Sequence, residues 1–168
     1  MTTLKKLLHR AFVLSIVIVL NLSLPAMAQM DEFTKAVVGY ELTMPKIEAY
    51  AAAMEDLVAW SKKNPREAEE FRKNNGVNTL ESAIQRIEST TPIKSILDKH
   101  KLNGRDFALM PIALLSSIAV LMVEKRGEAV PPGHSNPLSV AMVRANEARI
   151  SALANQITSA QRQLRGGR

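Results

Sequence analysis

The stretch 107-FALMPIALLSSIAVLMV-123 carries no charged residue, and its reading decides the fold. It is either a membrane span or the inner helix of a soluble bundle. Lys125 and Arg126 follow it and the tail beyond is basic, an arrangement that suits a stop-transfer segment. Its seventeen residues reach only about 25 Å as a helix, short of the ~30 Å hydrocarbon core. Pro111 lies inside it, and neither Trp nor Tyr anchors its ends. The segments around it settle the preference. They carry one-sided apolar stripes, and a helix that is apolar on every side is what such stripes enclose.

Working outward, the strong periodicities are all helical, and no alternating run between turn residues reads as a strand. Thr43 caps a helix to about Lys63, with Ile47, Tyr50, Met54, Leu57 and Trp60 on one face. Asn64, Pro65 and Glu67 open the next helix with a capping box, and Glu69 and Lys73 form an i,i+4 pair. Asn78 and Glu81 offer a second box before Leu80, Ile84 and Ile87. Thr91 caps a short helix through Ile93, Ile96 and Leu97, which ends in Lys99, His100 and Lys101. Asn103 and Asp106 form a third box at the head of the long apolar helix, expected to run from about Gly104 to Arg126. After a Pro-rich loop, Asn136 caps and Pro137 begins one final helix over 138–164. Along it Val143, Ile150, Leu153, Ile157, Ala160 and Leu164 recur at three and four, with Asn146 in the same seam. The expectation is an all-α, single-domain bundle of five to six helices around a central apolar helix at about 105–125. Residues 43–164 form the helical domain, 29–42 a lead-in, and 165–168 a disordered tail.

The N-terminus reads as a cleavable signal peptide over residues 1–28. Lys5, Lys6 and Arg10 precede the apolar run AFVLSIVIVLNLSL, Pro25 breaks it, and Ala26-Met27-Ala28 has the small–x–small pattern of a cleavage site. Cleavage is expected after Ala28, with the mature chain exported to the periplasm or secreted. The chain has no cysteine. Disulfides, thiol chemistry, iron–sulfur clusters and covalently attached haem are therefore excluded.

Charge bears on partners. The chain has 22 basic and 16 acidic residues. Without residues 1–28, which hold Lys5, Lys6 and Arg10 and no acid, 19 basic and 16 acidic residues remain. From Leu138 onward there are five arginines and one acid, Glu147. The basic excess thus sits in the last helix, and it is not interleaved with aromatics as a nucleic-acid surface would be. No nucleic-acid partner is expected.

No motif of catalysis stands out. There is no H-E-x-x-H, no EF-hand loop, no Gly-rich phosphate loop and no nucleophile elbow. After the signal only His100 and His134 remain, the first at a helix end where a cation is favourable. The methionines fall on apolar faces, where Met is a flexible filler. No metal or other cofactor is expected, nor an enzyme activity. Asn146 either pins helix register through a buried hydrogen bond, caps the preceding loop, or joins Arg144 or Arg149 in holding a carboxylate. Two binding surfaces remain open. One is the basic final helix, with Arg144, Arg149, Arg162 and Arg165 as charges and Ile157 and Leu164 as apolar anchors if the helix extends past the core. It would dock on an envelope protein or an anionic envelope surface, with any membrane contact peripheral. The other is an apolar cavity at the Pro111 kink, lined by Met110, Leu114 and Met142, which would carry a small apolar ligand.

The segments LTMPKIEAY, LNGRDFALMPIALL and NPLSVAMVRANEARISAL resemble a family of small, signal-bearing, all-helical bacterial proteins. The resemblance covers most of residues 42–153. It rests on the capped entry at Asp106 and Phe107 and on Val143 to Asn146 after the Pro-rich loop. It implies an exported helical fold and carries no activity or cofactor. The mature chain is expected to be soluble and helical by circular dichroism without detergent. A chain that dissolves only in detergent would favour the membrane span.

Overall fold

The computed structural model describes residues 27–73, 79–130 and 135–165, so most of the signal region and His134 lie outside the described residues. The chain is all-α. Among the described residues it forms α1 (Met27–Val38), α2 (Met44–Lys63), α3 (Pro65–Lys73), α4 (Leu80–Ser89), α5 (Thr91–Lys99), α6 (Gly104–Lys125), α7 (Pro137–Ala145) and α8 (Glu147–Leu164). That is more than the five or six expected, for two reasons. The lead-in is itself a helix, and the final helix is two. A cut after Ala28 would remove the first two residues of α1.

Local chemistry sets the boundaries. Thr43 Oγ1 accepts from the Lys46 amide at 3.4 Å, as a capping threonine should. Asn103 Oδ1 accepts from the Asp106 amide at 2.7 Å, and Asp106 Oδ2 accepts from the Asn103 amide, completing the expected box. Asn136 caps α7 ahead of Pro137. Two other caps sit one residue away from their expected places, and Asn64 takes a different role. Thr79 caps α4 with Ser82 as its reciprocal partner, in place of Asn78 with Glu81. Thr90 rather than Thr91 precedes α5, and its hydroxyl donates back to the Arg86 carbonyl. Asn64 serves the end of α2, its Nδ2 donating to the Trp60 carbonyl.

Both ends of the α5–α6 unit close by the same device. After α5, the Leu102 amide reaches the Leu97 carbonyl at 2.9 Å and Lys101 takes φ +56°. After α6, the Glu128 amide reaches the Val123 carbonyl and Gly127 takes φ +73°. These are Schellman closures, in which the residue past the helix is left-handed. Glycine fits that position without strain, whereas Lys101 bears a steric penalty.

One cluster of buried side chains draws on every helix but α3, which packs the half-buried Phe71 against it. The apolar helix α6 contacts α1, α4, α5 and α7, while α2 contacts α3, α5 and α8. Gly104 lets α4 approach the start of α6, since a Cβ there would lie 2.8 Å from the Glu88 side chain and 3.1 Å from the Ile84 carbonyl. By length and composition α6 is able to cross a membrane, and 44% of its most apolar stretch is buried in the fold. Leu109, Met110, Ala113, Leu114, Ser117, Val120 and Leu121 form its buried side, and Leu115, Ala119 and Met122 stay half-buried. Pro111 sits within the helix, and Ser117 bonds back to the Ala113 carbonyl at 2.8 Å.

One polar node ties the layers together. Asp106 is buried, and its Oδ1 accepts from the Tyr40 hydroxyl at 2.7 Å and from Lys46 Nζ at 3.0 Å. Lys46 also lies 4.9 Å from the centre of the Tyr40 ring. Beside the node, Ser139 is fully buried. Its hydroxyl accepts from the Leu42 amide and donates to the Tyr40 carbonyl. The 40–42 link is thereby fastened to α6 on one side and α7 on the other. Burial pushes the Asp106 carboxyl up, but the hydrogen bonds from Tyr40 and Lys46 outweigh it and hold the group below its ordinary value. Burial and the neighbouring carboxylate push the Tyr40 phenol up.

A carboxylate with a lowered folded pKa contributes stability that is complete above its unfolded pKa of about 3.9. The contribution is lost as pH falls through the folded value. The thermal midpoint, followed by circular dichroism, is therefore expected to drop below about pH 4, with a weaker drop in Asp106→Asn. At neutral pH Asp106→Ala should cost about 1–3 kcal/mol, because it strands the buried partner groups.

Candidate functional site

The final helical pair carries most of the residues singled out in the sequence, and Asn146 sets its shape. Asn146 is not buried in a seam as a register pin would be. It is half-buried with φ −127° and ψ 26°, a break in the helical path. Its Nδ2 donates to the Met142 carbonyl at 2.9 Å and its amide to the Val143 carbonyl. Its own carbonyl accepts from the Ile150 amide and starts α8. Asparagine satisfies the end of one helix and opens the next because its short amide competes with backbone groups.

Past this break, α8 lies parallel to α2. Arg149 pairs with Glu48, Gln156 donates to Glu55 at 2.7 Å, and Gln163 accepts from Lys62 at 2.9 Å. Each pair is offset by 101 residues, and on both helices the contacts recur every seventh residue. That is the repeat of a parallel two-helix seam, with polar pairs flanking an apolar stripe. Ile150, Ile157 and Ala160 are buried in it, opposite Ile47, Met54, Leu57 and Val58 of α2. At its far end, Arg72 Nη1 donates to the Leu164 carbonyl at 2.6 Å.

The predicted docking residues divide accordingly. Ile157 is buried and Leu164 half-buried against the core. The helix does not extend past the core as the anchor role required, because α2 runs alongside it to Lys63. Arg144 pairs with Glu124 at 2.5 Å. Arg149 lies on the flank facing α2. Arg162 is exposed and has no ion pair among the described residues. Arg149 and Arg162 are 13 residues apart, about 220° around the helix, so they do not share a face. A different apolar side chain is offered to solvent. Leu138, at the first turn of α7, is 63% exposed, the one large hydrophobic so exposed among the described residues.

Of the cavity residues, Met110 and Leu114 are buried in the core, and Pro111 and Met142 are half-buried. The sequence reading missed a cleft elsewhere, where α2 and α5 diverge. Asp56 is its polar centre. Asp56 Oδ2 accepts from Lys99 Nζ at 2.8 Å and lies 2.7 Å from His100 Nε2. These contacts, that from Lys99 first, hold the Asp56 carboxyl below its usual range. His100 thus has a carboxylate partner 44 residues away in addition to its helix end. No spacing rule connects the two positions, so only the tertiary fold reveals the pair. Among the described residues no three His, Asp or Glu side chains converge as a metal site would require.

The division between buried seam and exposed charge is measurable. Ile157→Ala should destabilise by about 2–5 kcal/mol in urea titrations, as expected for a truncated core side chain. Arg149→Ala should cost under about 1 kcal/mol, because its ion pair is largely solvated. No protein family, curated protein or solved structure matches this chain.

Proposed function

We propose that the chain is exported by its N-terminal segment, cut after Ala28, and acts as a non-enzymatic helical interaction module of the cell envelope. It is a member of the exported helical family its motifs resemble. Its bundle is organised around α6, and it engages an acidic envelope partner through the outer side of α7 and α8. The observation that carries this reading is Leu138. It stands in solvent on the segment that holds the basic excess of the mature chain. An exposed leucine on a segment rich in arginine combines an apolar anchor with positive charge, the composition of a contact surface. The pairing of α8 with α2 supports the same reading, since it holds the arginines on a preorganised scaffold and reduces the ordering cost of binding.

The alternative is a carrier of a small apolar ligand at Met110, Pro111, Leu114 and Met142. It requires buried side chains of α6 to part, whereas the docking surface needs no rearrangement. A role as a single-span membrane protein would require α6 to abandon its contacts with four neighbouring helices.

The test is capture from envelope extract by the mature protein, with mass spectrometry of both proteins and lipids. Leu138→Ser, and separately Arg162→Gln, should each weaken capture about tenfold. Neither should shift stability by more than about 0.5 kcal/mol. If both variants capture all that the parent captures, the docking reading fails. A lipid-only capture profile replaces the acidic protein with the anionic envelope surface.

A further inference from the structure

The cleft between α2 and α5 is independent of the docking surface and has a chemistry of its own. It is a shallow cleft, open to solvent, with a volume of about 410 Å³. Trp60, Pro92 and Ile96 supply its apolar walls, and Lys63, Lys99 and Asp56 its charges. Trp60 is the only tryptophan in the chain. It belongs to the apolar face of α2, yet it stays only half-buried, lining the cleft, while Ile47, Met54 and Leu57 of the same helix are buried.

We infer that this cleft binds a small planar aromatic carboxylate, its ring against Trp60 and its carboxylate between Lys63 and Lys99. The indole and the Pro92 ring present flat apolar surfaces, which suit a ring better than a flexible chain. The sign of the ligand follows from the charges. Asp56 is already satisfied by Lys99 and His100 and offers little to a cation. Lys63 has no ion pair among the described residues, and all three of its donors are open. Lys99 spends one donor on Asp56 and keeps two. A cationic ligand over the indole would meet two ammonium groups, whereas an anion meets two donors and one neutralised carboxylate. The site sits on the last turns of α2 and the body of α5, both anchored by buried residues such as Leu57, Val58, Ile93 and Leu97. Its walls are therefore preformed.

The lone tryptophan makes the test direct. Uniformly ¹⁵N-labelled mature protein gives a single indole N–H signal. Titration with 2-naphthoate should move that signal to saturation. The neutral 2-naphthalenemethanol and a naphthyl trimethylammonium salt should move it far less. Lys63→Met keeps the length and apolar stem of the side chain and breaks no ion pair, so the fold should persist. It should raise the naphthoate dissociation constant about tenfold, the loss of one charge-assisted contact. An indole signal unmoved by naphthoate overturns the inference. So does an equal response to all three probes, or naphthoate binding unchanged in Lys63→Met with the parent's amide spectrum otherwise intact.

Discussion

The buried carboxylate of Asp106 is the constraint on which the arrangement of the N-terminal half depends. An ionised carboxylate taken out of water must be surrounded by donors. This one draws them from the cap of its own helix, from Tyr40 in the link after α1, and from Lys46 in the first turn of α2. The same few atoms thus determine where α6 begins, where α1 stops and how α2 sets off. Ser139 extends the constraint by taking up the backbone of residues 40–42. A short connector with no regular structure thereby becomes the junction of four helices. The aromatic contact between Tyr50 and Phe107, with ring centres 5.4 Å apart, packs beside it and closes the gap between α2 and α6.

Much of this was legible in the residues, where the information is local. Thr43, Asn103 with Asp106, and Asn136 with Pro137 lie within a few residues of the groups they satisfy, so their caps can be read directly. Ile47, Met54, Leu57, Ile150 and Ile157 announce buried faces by period alone. What period cannot announce is which face meets which. The stripe on α8 suits a foreign partner as well as it suits α2, and only the fold shows that α2 takes it. Asn146 misled because its spacing fits an uninterrupted stripe. Its side chain bonds back to the Met142 carbonyl where the helix ends, one of two local hydrogen-bonding solutions. Thr79 and Ser82 against Asn78 and Glu81 is the same kind of choice, one residue out of step.

The candidate sites follow the same division. Arg144, Arg149, Arg162 and Arg165 were visible as a charge excess, but their distribution around the helix depends on the break at Asn146. Asp56, Lys63 and Lys99 gave no signal. Each is an ordinary charged residue, Asp56 inside α2 and the two lysines at helix ends, and their meaning comes from how α5 packs on α2. Trp60 shows the limit from the other side. Its place in the apolar period predicted burial, while the divergence of the two helices leaves it partly in water.

The parallel pairing of α2 with α8 also bears on the order in which the core can be completed. Residues such as Glu55 and Gln156 stand 101 positions apart, so α2 leaves the ribosome long before the helix that covers it exists. Closing so large a loop costs entropy that local helix formation does not recover, and contacts of this kind form late. The apolar face of α2 has to wait, exposed, until α8 has been made. A polypeptide built this way stays pliable through synthesis and locks only when α8 arrives.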